Sequence, residues 1–488
     1  MGLRETFRGC LGEERILDDE SSLEAFADDL TEEEPSRPGI VLFPEATAEV
    51  QAIVRAAAKD RVPLTVRVTG SNVAGLTVAP EGGAIVDLSR MTRLEIDARE
   101  MIAVVEPGVT WAALKPELER LEPPLRVGYP LSPPHTSVLA NCLLDGLGNL
   151  SLRHGSLGDW LTGVEVVLPD GSLVRTGSAA ASASWCSRGP LPDLTGLFVA
   201  WQAATGIVVR GGVHVWPAPA FRRRLFVLAG ERRGAFETMR RLARSTIADD
   251  AGGLSWPTGK MLFGVPRPGP RDPAEPEFFV YVDVTGETER ELALRLERLD
   301  GLLAALRAEG HRLEPPFSIA DLVRLEPRFA RFADFPTSLD FLLHAPGVDA
   351  SGAPLGGGLT WVGTYGPGSR LEEAADRVVP IMEQAGYAPA IVSRPMRGGH
   401  FVVLRMLMTF EKGDSAQRRL ARETNRKVLG AVLPLGFLPY KCPPWAWELL
   451  QEQLDPGYAA LLAKVRAAVD PGGIMSPRAW RRTGGGGS

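Results

Sequence analysis

A turn of small residues between two strand-like runs constrains the fold of this chain more than any other feature. The apolar run 63–66 leads into the turn, the run 84–88 follows it, and residues 66–75 read VRVTGSNVAG. Glycine and short polar side chains let backbone N–H groups approach a ligand closely. The turn therefore predicts a site for a pyrophosphate, although small-residue turns of this kind also occur between strands without any ligand.

Composition and charge exclude several classes of protein. The chain has 488 residues, of which 44% are apolar and 23% charged, as in globular proteins of two or three domains. A net charge of −6 without any block of Lys and Arg argues against a nucleic-acid partner. No apolar run approaches the roughly 18 residues of a membrane span, so we expect no membrane association.

The cysteines indicate a compartment and argue against a metal. They are widely scattered and include no CxxC pair: Cys10, Cys142, Cys186 and Cys442. This spacing disfavours both a zinc site and a disulfide framework, and it fits a reducing environment. We therefore predict a cytoplasmic protein without a metal site.

The order of strand-like and helix-like segments predicts an α+β chain with several parts. Residues 1–38 form a polar lead-in, and strands alternate with helices from 39 to a boundary at 217–219. Beyond that boundary, predicted strands at 225–228, 278–283, 359–365 and 401–410 are each followed by a helix, which favours an antiparallel sheet backed by helices. The end of the chain, 483–488, is typical of an engineered linker.

Taken together, the motifs of this chain resemble those of the vanillyl-alcohol oxidase / p-cresol methylhydroxylase flavoprotein family. The resemblance lies in the order and spacing of several segments: RVTGSN at 67–72, VVEPGVT at 104–110, SVLAN at 137–141, HGS at 154–156, GVEVVLPDG at 163–171, TGIV at 205–208 with Trp216 and Pro217, and DPGGIMSP at 470–477. It implies a bipartite FAD-binding domain of the p-cresol methylhydroxylase type. Residues 39–219 and a returning segment, 436–482, would form that domain, and an antiparallel-sheet cap domain, 220–435, would be inserted between them.

The resemblance also implies which residues bind FAD. The pyrophosphate turn would contribute Arg67, Thr69, Gly70, Ser71 and Asn72. Other segments would line the cofactor through Pro107, Gly108, Ser137, Asn141, Gly155, Ser156, Gly206, Ile207 and Val208. The alternative is that these glycines form plain turns and that the asparagines are local caps.

Two departures from the family pattern indicate non-covalent FAD. Members that tether the flavin to the pyrophosphate loop carry histidine where this chain has Ser71, and the stretch 356–361 lacks the cap histidine of the vanillyl-alcohol oxidase type. No matching tyrosine or cysteine tether is present either.

The substrate end departs further from the family. Tyr440 and Lys441 fall where phenol-oxidising members have a tyrosine and an arginine, but their other tyrosine aligns near Gly75, and Ser156 stands in place of an aspartate. Lys lacks the bidentate fork of Arg, which puts a phenolic substrate in doubt. Alternatively, Tyr440 and Lys441 are an ordinary half-buried loop pair.

His400 matches the second histidine of an active-site pair in the vanillyl-alcohol oxidase type, and it opens a predicted strand after the sequence RGG. It would serve as a base or hydrogen-bond partner. The alternative is a surface or core histidine with a structural partner. Nothing in the chain matches the His-rich cap motif of metal-assisted 2-hydroxy-acid dehydrogenases, which disfavours substrates of the lactate or glycolate type.

These observations predict an FAD-dependent oxidase or dehydrogenase that takes a hydride from a small alcohol, phenol-like molecule or amine to flavin N5. Tyr440, Lys441 and His400 would orient the substrate and handle its proton. One alternative is a catalytically degenerate subunit of the same fold that acts as a binding or assembly partner. Another is a plain α/β binding module that would carry no flavin. Assembly as a homodimer stays open.

Overall fold

The computed structural model describes residues 2–71, 74–130, 132–262, 265, 267–325, 327, 330 and 357–480. These residues form three main sheets with helices packed against them, so the chain is α+β as predicted. The predicted cofactor residue Asn72 and the tail 483–488 lie outside the described residues.

The first sheet positions the small-residue turn. Its order is Ile16–Leu17, Ile40–Leu42, Ala84–Asp87 and Leu64–Arg67, and the last three strands run parallel. Helix Thr47–Asp60 buries the apolar stripe that its spacing predicted. Because the turn follows the carboxyl end of strand Leu64–Arg67, it lies at the edge of the parallel strands where α/β sheets bind ligands.

The second sheet has five antiparallel strands: Leu94–Asp97, Ile102–Val105, Ile207–His214, Leu161–Val167 and Leu173–Arg175. A short ribbon pairs Leu125–Arg126 with Trp216–Pro217. Helix Trp111–Glu119 is capped by Thr110, whose hydroxyl accepts a hydrogen bond from the Ala113 N–H at 3.2 Å.

The third sheet is antiparallel, as predicted for this half of the chain, and it has eight strands. Their order is Phe317–Ser318, Phe221–Ala229, Phe278–Gly286, Asp250–Ser255, Ala390–Met396, Phe401–Phe410, Gly358–Gly366 and Leu438–Pro439. Two central strands were not predicted. Asp250–Ser255 lacks β-branched residues, and Ala390–Met396 contains Arg394 and Pro395, so neither has the composition of a buried strand.

Side-chain alternation gives this third sheet two different faces. One face packs against four helices: Arg232–Ala243, Glu289–Ala308, Leu371–Gln384 and Ser415–Val432. Neighbouring strand residues, among them Leu359, Val392 and Leu407, belong to a separate cluster on the other face. That second face is available to form the wall of a site.

The C-terminal segment returns to the first sheet. The Leu64 N–H donates to the Ile474 carbonyl at 2.8 Å, and the Ser476 N–H donates to the Leu64 carbonyl at 2.9 Å. This return gives the bipartite arrangement that was predicted, although the domain limits at 219 and 435 remain predictions. Two helices precede the return where one was predicted: Pro444–Leu450 and Pro456–Val469.

The remaining helices are short. The α-helical ones are Leu3–Phe7, Glu20–Glu24, Val138–Leu143, Ser151–His154, Trp256–Leu262 and Ile319–Leu325. Single 3-10 turns are Glu13–Arg15, Leu88–Arg90, Leu157–Trp160, Gly177–Ala180, Thr195–Leu197, Gly368–Arg370, Arg397–Gly399 and Leu433–Leu435. Across the described ranges, no helix combines the length and the apolar character that crossing a bilayer requires.

Candidate functional site

A cavity that is partly open to solvent joins the small-residue turn to the third sheet. Its lining comes from both halves of the chain and from the C-terminal segment, and includes Val66, Thr69, Ser71, Pro107, Ser137, Asn141, Gln202, Gly206, Val208, Leu359, Trp361, Val392, Arg405, Leu407 and Lys441.

At one end, the turn after strand Leu64–Arg67 presents backbone donors to the cavity. Thr69 and Gly70 have φ of 56° and 68°, and the Gly70 N–H donates to the Val68 carbonyl at 2.7 Å. Within the described part of the chain, the N–H groups of Thr69 and Ser71 have no acceptor. Successive peptide groups in such conformations form anion-binding concavities, so this end has the chemistry that a pyrophosphate requires.

Arg67 supports this turn from below. Its Nη1 lies 3.0 Å from Asp87 Oδ2, and its guanidinium stacks 4.5 Å from the centroid of the Phe26 ring. A Cβ on Gly70 would lie 2.1 Å from Arg67 Nη2. The glycine therefore allows the loop to close over the guanidinium, and Arg67 fixes the loop without lining the cavity.

Pro107, Ser137 and Asn141 form a hydrogen-bonded corner in the lining of the cavity. Ser137 Oγ donates to the Pro107 carbonyl at 2.6 Å and accepts from the Ala140 N–H at 3.0 Å. Asn141 Nδ2 donates to the Ser137 carbonyl at 2.7 Å. Ser137, and not Asn141, is the local cap of helix Val138–Leu143, and these bonds hold this wall in place.

A strained turn forms another part of the wall. Ala200, Gln202 and Ala203 have φ of 63°, 54° and 59°, in the region that non-glycine residues rarely occupy. Gln202 and Ala203 line the cavity, and Gln202 Nε2 donates to the Cys442 carbonyl at 3.1 Å. Strain of this kind concentrates at ligand sites. This backbone conformation could not be predicted, because residues 200–203 contain no glycine, proline or asparagine.

The structure brings about half of the predicted cofactor-binding residues to the cavity. Those that line it are Thr69, Ser71, Pro107, Ser137, Asn141, Gly206 and Val208. The described ones that do not line it are Arg67, Gly70, Gly108, Gly155, Ser156 and Ile207.

The residues outside the lining have other local roles. Gly108 packs against backbone carbonyls, since a Cβ there would lie 2.3 Å from Ser89 O. The Ser156 N–H donates to Asp159 Oδ2 at 3.0 Å, and Ile207 is fully buried in a core cluster. Their proposed role at the cofactor is therefore support rather than contact.

At the other end, a buried and a half-buried cation share one wall, and we call them the cation pair: Arg405 and Lys441. Both line the cavity, and Arg405 is only 6% exposed. Arg405 Cζ lies 5.1 Å from the centroid of the Trp361 ring, and Lys441 Nζ lies 5.4 Å from the same centroid. Cation–π attraction at these distances holds both charges over one indole.

Tyr440 positions the cation pair from behind the wall. Its hydroxyl accepts a hydrogen bond from Arg405 Nε at 2.8 Å, and its ring stacks on Tyr365 with centroids 4.7 Å apart. The Tyr365 hydroxyl in turn donates to the Asp145 carbonyl at 2.5 Å. Burial raises the pKa of Tyr440, so this phenol stays neutral. Unlike its neighbour Lys441, Tyr440 is not among the residues that line the cavity.

The cation pair has no counter-charge among the described residues. No carboxylate lies within 4.0 Å of Arg405 or Lys441 to form an ion pair. Burial, together with the nearby Arg405 charge, lowers the pKa of Lys441 to about 7. Buried charges are normally paired, so two such cations on one cavity wall mark a site that is incomplete without a ligand.

His400 lies apart from these residues. It is exposed, directly after the turn Arg397–Gly399, in which Gly398 and Gly399 have φ of 64° and 83°. It does not appear in the lining of the cavity. The predicted grouping of His400 with Tyr440 and Lys441 is thus not what the structure shows, because the glycine turn leaves His400 at the surface where its strand begins.

The described residues also bear on the predictions about a metal site and about disulfides. Over the residues that the structure describes, no group of His, Cys, Asp and Glu has the arrangement of a metal site. All four cysteines are free thiols.

A family profile for an FAD binding domain matches residues 38–177. That range contains the small-residue turn and the corner at Pro107, Ser137 and Asn141, so the profile and the cavity identify the same part of the chain. The sequence is therefore that of an FAD-binding protein.

Curated relatives match part of the chain. It is 31% identical over 173 residues to mitochondrial D-lactate dehydrogenase [cytochrome] of Arabidopsis thaliana, covering 35% of this chain and 29% of the relative. It is 30% identical to glycolate oxidase subunit GlcD of Bacillus subtilis, covering 44% and 45%. It is 36% identical to 1'-carboxy-chondrochloren decarboxylase of Chondromyces crocatus, covering 46% and 42%. The chain spans less than half the length of each of these relatives.

Two solved structures match nearly the whole chain. p-Cresol methylhydroxylase with substrate bound superposes with a TM-score of 0.84 at 19% identity, covering 98% of this chain and 95% of that one. 4-Ethylphenol oxidase from Gulosibacter chungangensis, in its isoeugenol complex, gives 0.80 at 21% identity, covering 98% and 96%. The resemblance to the vanillyl-alcohol oxidase / p-cresol methylhydroxylase family is thereby confirmed at the level of the fold.

Proposed function

We propose that this protein is an FAD-dependent oxidoreductase that takes a hydride from a small organic substrate. The observation that carries the proposal is the single cavity that joins the predicted pyrophosphate turn to the cation pair. One end has backbone donors for the cofactor, and the other has charged side chains for a substrate. The names of the relatives, which include a dehydrogenase and an oxidase, support the same class of reaction.

The residues present fit FAD. The backbone N–H groups of Thr69 and Ser71 would hold the pyrophosphate, and Ser137, Asn141 and Val208 would lie along the flavin. When bound, FAD supplies a two-electron acceptor at flavin N5. The described lining contains no His, Tyr or Cys, the residue types that tether flavin, which supports non-covalent binding.

The side chains at the other end of the cavity handle charge and protons. A hydride leaves the substrate carbon with its electron pair, so the proton of the neighbouring O–H or N–H must pass to a base. For a neutral substrate Lys441 suits this role, because a pKa of about 7 leaves much of it neutral at Nζ near neutral pH. Beside an anionic substrate the protonated form is favoured, and Lys441 then binds the charge instead. Arg405 stays charged and orients the substrate, while Tyr440 holds Arg405 in place.

The compartment remains part of the proposal. Because the described cysteines are free thiols, they support a reducing environment such as the cytoplasm.

Anaerobic reduction of the bound flavin tests this function. Purified protein should be yellow, should release FAD into the supernatant on denaturation, and should lose its flavin absorbance with at least one member of a panel of alcohols, phenols, amines and hydroxy acids. A colourless protein would contradict the proposal. Bound flavin that no member of the panel reduces would instead favour the catalytically degenerate subunit.

A further inference from the structure

We propose that the substrate carries a carboxylate, and that the cation pair Arg405 and Lys441 binds it against an otherwise apolar wall. This inference rests on the proposed function, because it identifies the chemical class of molecule that the substrate end of the cavity accepts.

The cation pair lacks a counter-charge within the described chain. Arg405 is buried and Lys441 half-buried, both line the cavity, and neither forms an ion pair with a carboxylate of the described chain. Other buried arginines of the same sheet are paired, such as Arg394 with Asp250 and Arg224 with Asp283. The fold thus neutralises its structural cations and leaves these two for an anion from outside.

Several hydrogen-bond donors on this wall have no acceptor within the described chain. Arg405 uses Nε to reach Tyr440, and its Nη1 and Nη2 have no hydrogen-bond acceptor among the described residues. The buried indole N–H of Trp361 also lacks an acceptor within the described chain. A guanidinium fork with both terminal nitrogens free matches the two oxygens of a carboxylate.

The arrangement of donors favours a carboxylate over a phenolate. A phenolate has a single oxygen, which a tyrosine hydroxyl can bind by donating one hydrogen bond. Here the Tyr440 hydroxyl bonds to Arg405 from behind the wall, and the Tyr365 hydroxyl bonds to the Asp145 carbonyl. Neither is a lining residue. The free donors are therefore arranged for a two-oxygen anion rather than for a phenolate.

The other residues of this wall indicate the chemical nature of the rest of the substrate. Leu359, Val392 and Leu407 lie in the lining on the same face of the sheet as the cation pair, and Thr258, from helix Trp256–Leu262, adds a hydroxyl residue to the lining. Apolar side chains bind apolar groups by removing their surface from water. The substrate class is accordingly a carboxylate with an apolar body, and benzoate is its simplest probe.

The test compares benzoate with benzamide, its neutral isostere, and with p-cresol. Binding to the FAD-loaded protein is measured by isothermal titration calorimetry and by perturbation of the flavin spectrum, neither of which requires turnover. Benzoate should bind at least about tenfold more tightly than either neutral molecule, a difference of about 1.4 kcal/mol. Equal or tighter binding of benzamide or p-cresol would overturn the proposal.

Charge-removing variants assign the effect to the cation pair. Arg405→Met and Lys441→Met should each weaken benzoate binding by about tenfold or more, with little effect on benzamide. Arg405→Lys keeps the charge without the fork and should fall between wild type and Arg405→Met. The control is Arg397→Met, since Arg397 is exposed and paired with Asp159 at 2.9 Å. Benzoate affinity unchanged in both Met variants would overturn the assignment.

The design separates failure of this inference from failure of the proposed function. If a neutral alcohol reduces the flavin while benzoate shows no preference over benzamide, the carboxylate assignment alone is wrong. If benzoate binds as expected but nothing reduces the flavin, the redox function is wrong and the anion site stands. Should a variant fail to fold, the wild-type comparison of benzoate with benzamide still decides the question.

Discussion

The two ends of the cavity are built in opposite ways. At the cofactor end, neighbouring residues of one turn present neutral backbone donors, and Thr69 and Ser71 are separated by a single glycine. At the substrate end, Arg405 and Lys441 come from separate segments and present cationic side chains over the ring of Trp361. Every sequence supplies backbone N–H donors, whereas a charged side chain without a partner on a cavity wall requires a particular residue at a particular position. The cofactor end therefore defines the family, and the substrate end defines the individual protein.

The largest expected effect comes from charge introduced at the cofactor end. Ser71→Glu places a carboxylate where a pyrophosphate would bind, and like charges about 4 Å apart near a protein surface repel by about 4 kcal/mol. We expect FAD affinity to fall by about a hundredfold or more, measured by FAD titration of the protein freed of cofactor. Ala183→Glu adds the same charge at an exposed position and serves as the control. Unchanged affinity in Ser71→Glu would mean that this turn does not hold the pyrophosphate.

A second change tests the rigidity of the cofactor end. Gly206 has φ of 154°, and a Cβ there would lie 2.8 Å from Val166 Cγ2 and 2.9 Å from Val167 O. Gly206→Ala should reduce the free energy of unfolding by about 2 kcal/mol, measured by urea denaturation. Gly413→Ala, at a position with nothing within 4 Å and an ordinary φ, is the matched control. Equal effects of the two substitutions would show that the wall accommodates a side chain.

The pH dependence of stability tests the buried charge at the substrate end. Burial lowers the pKa of Lys441 to about 7, while in the unfolded chain it keeps its ordinary value near 10.4. Between these values the unfolded chain binds more protons, so the free energy of unfolding rises with pH by up to about 1.4 kcal/mol per unit. Below pH 7 the penalty for burying the charge is complete.

Lys441→Met removes this pH-dependent contribution to the free energy of unfolding, because the side chain keeps a similar shape and no longer titrates. The variant should be stabilised relative to wild type most strongly below pH 7, and this advantage should shrink as the pH rises above 7. Urea unfolding of both proteins across this range measures the difference. A difference in stability that does not change with pH would show that Lys441 titrates normally and is not buried as a charge.

Removing one hydroxyl should have a smaller effect. Tyr440→Phe deletes the acceptor of the Arg405 Nε hydrogen bond, which is worth about 1 kcal/mol. Benzoate affinity should fall severalfold while FAD affinity stays unchanged. Tyr365→Phe deletes a hydroxyl that bonds only to backbone carbonyls and should leave benzoate affinity closer to that of wild type. If both variants bind benzoate equally, Tyr440 does not position Arg405.

The smallest effect is expected at His400. Because His400 is exposed and outside the cavity lining, His400→Ala should change FAD affinity, benzoate affinity and the rate of flavin reduction by less than about twofold. Stopped-flow reduction by whichever substrate bleaches the flavin measures the rate. A large loss of rate would show that His400 takes part in catalysis.

The difference between the two ends also explains what the sequence could predict. The turn at 66–75 and the cap at Thr110 are local, because neighbours along the chain determine their geometry. Arg405 was missed because its importance depends on strands that are far apart in sequence. A signal was present, since Arg405 interrupts the apolar strand FVVLRMLMTF, and a charge within a buried strand requires a partner or a function. The exposure of His400 could not be predicted, because its aligned position does not reveal the direction set by the two preceding glycines.

The hydrogen bond from Gln202 to the Cys442 carbonyl has a consequence for the order of events in the cavity. It links the strained turn beside the cofactor wall to the residue that follows Lys441. A ligand that orders the turn therefore also restricts the segment that carries one of the two charges. We expect cofactor loading to come first and to prepare the substrate end, so that the protein freed of FAD binds benzoate more weakly than the loaded protein does.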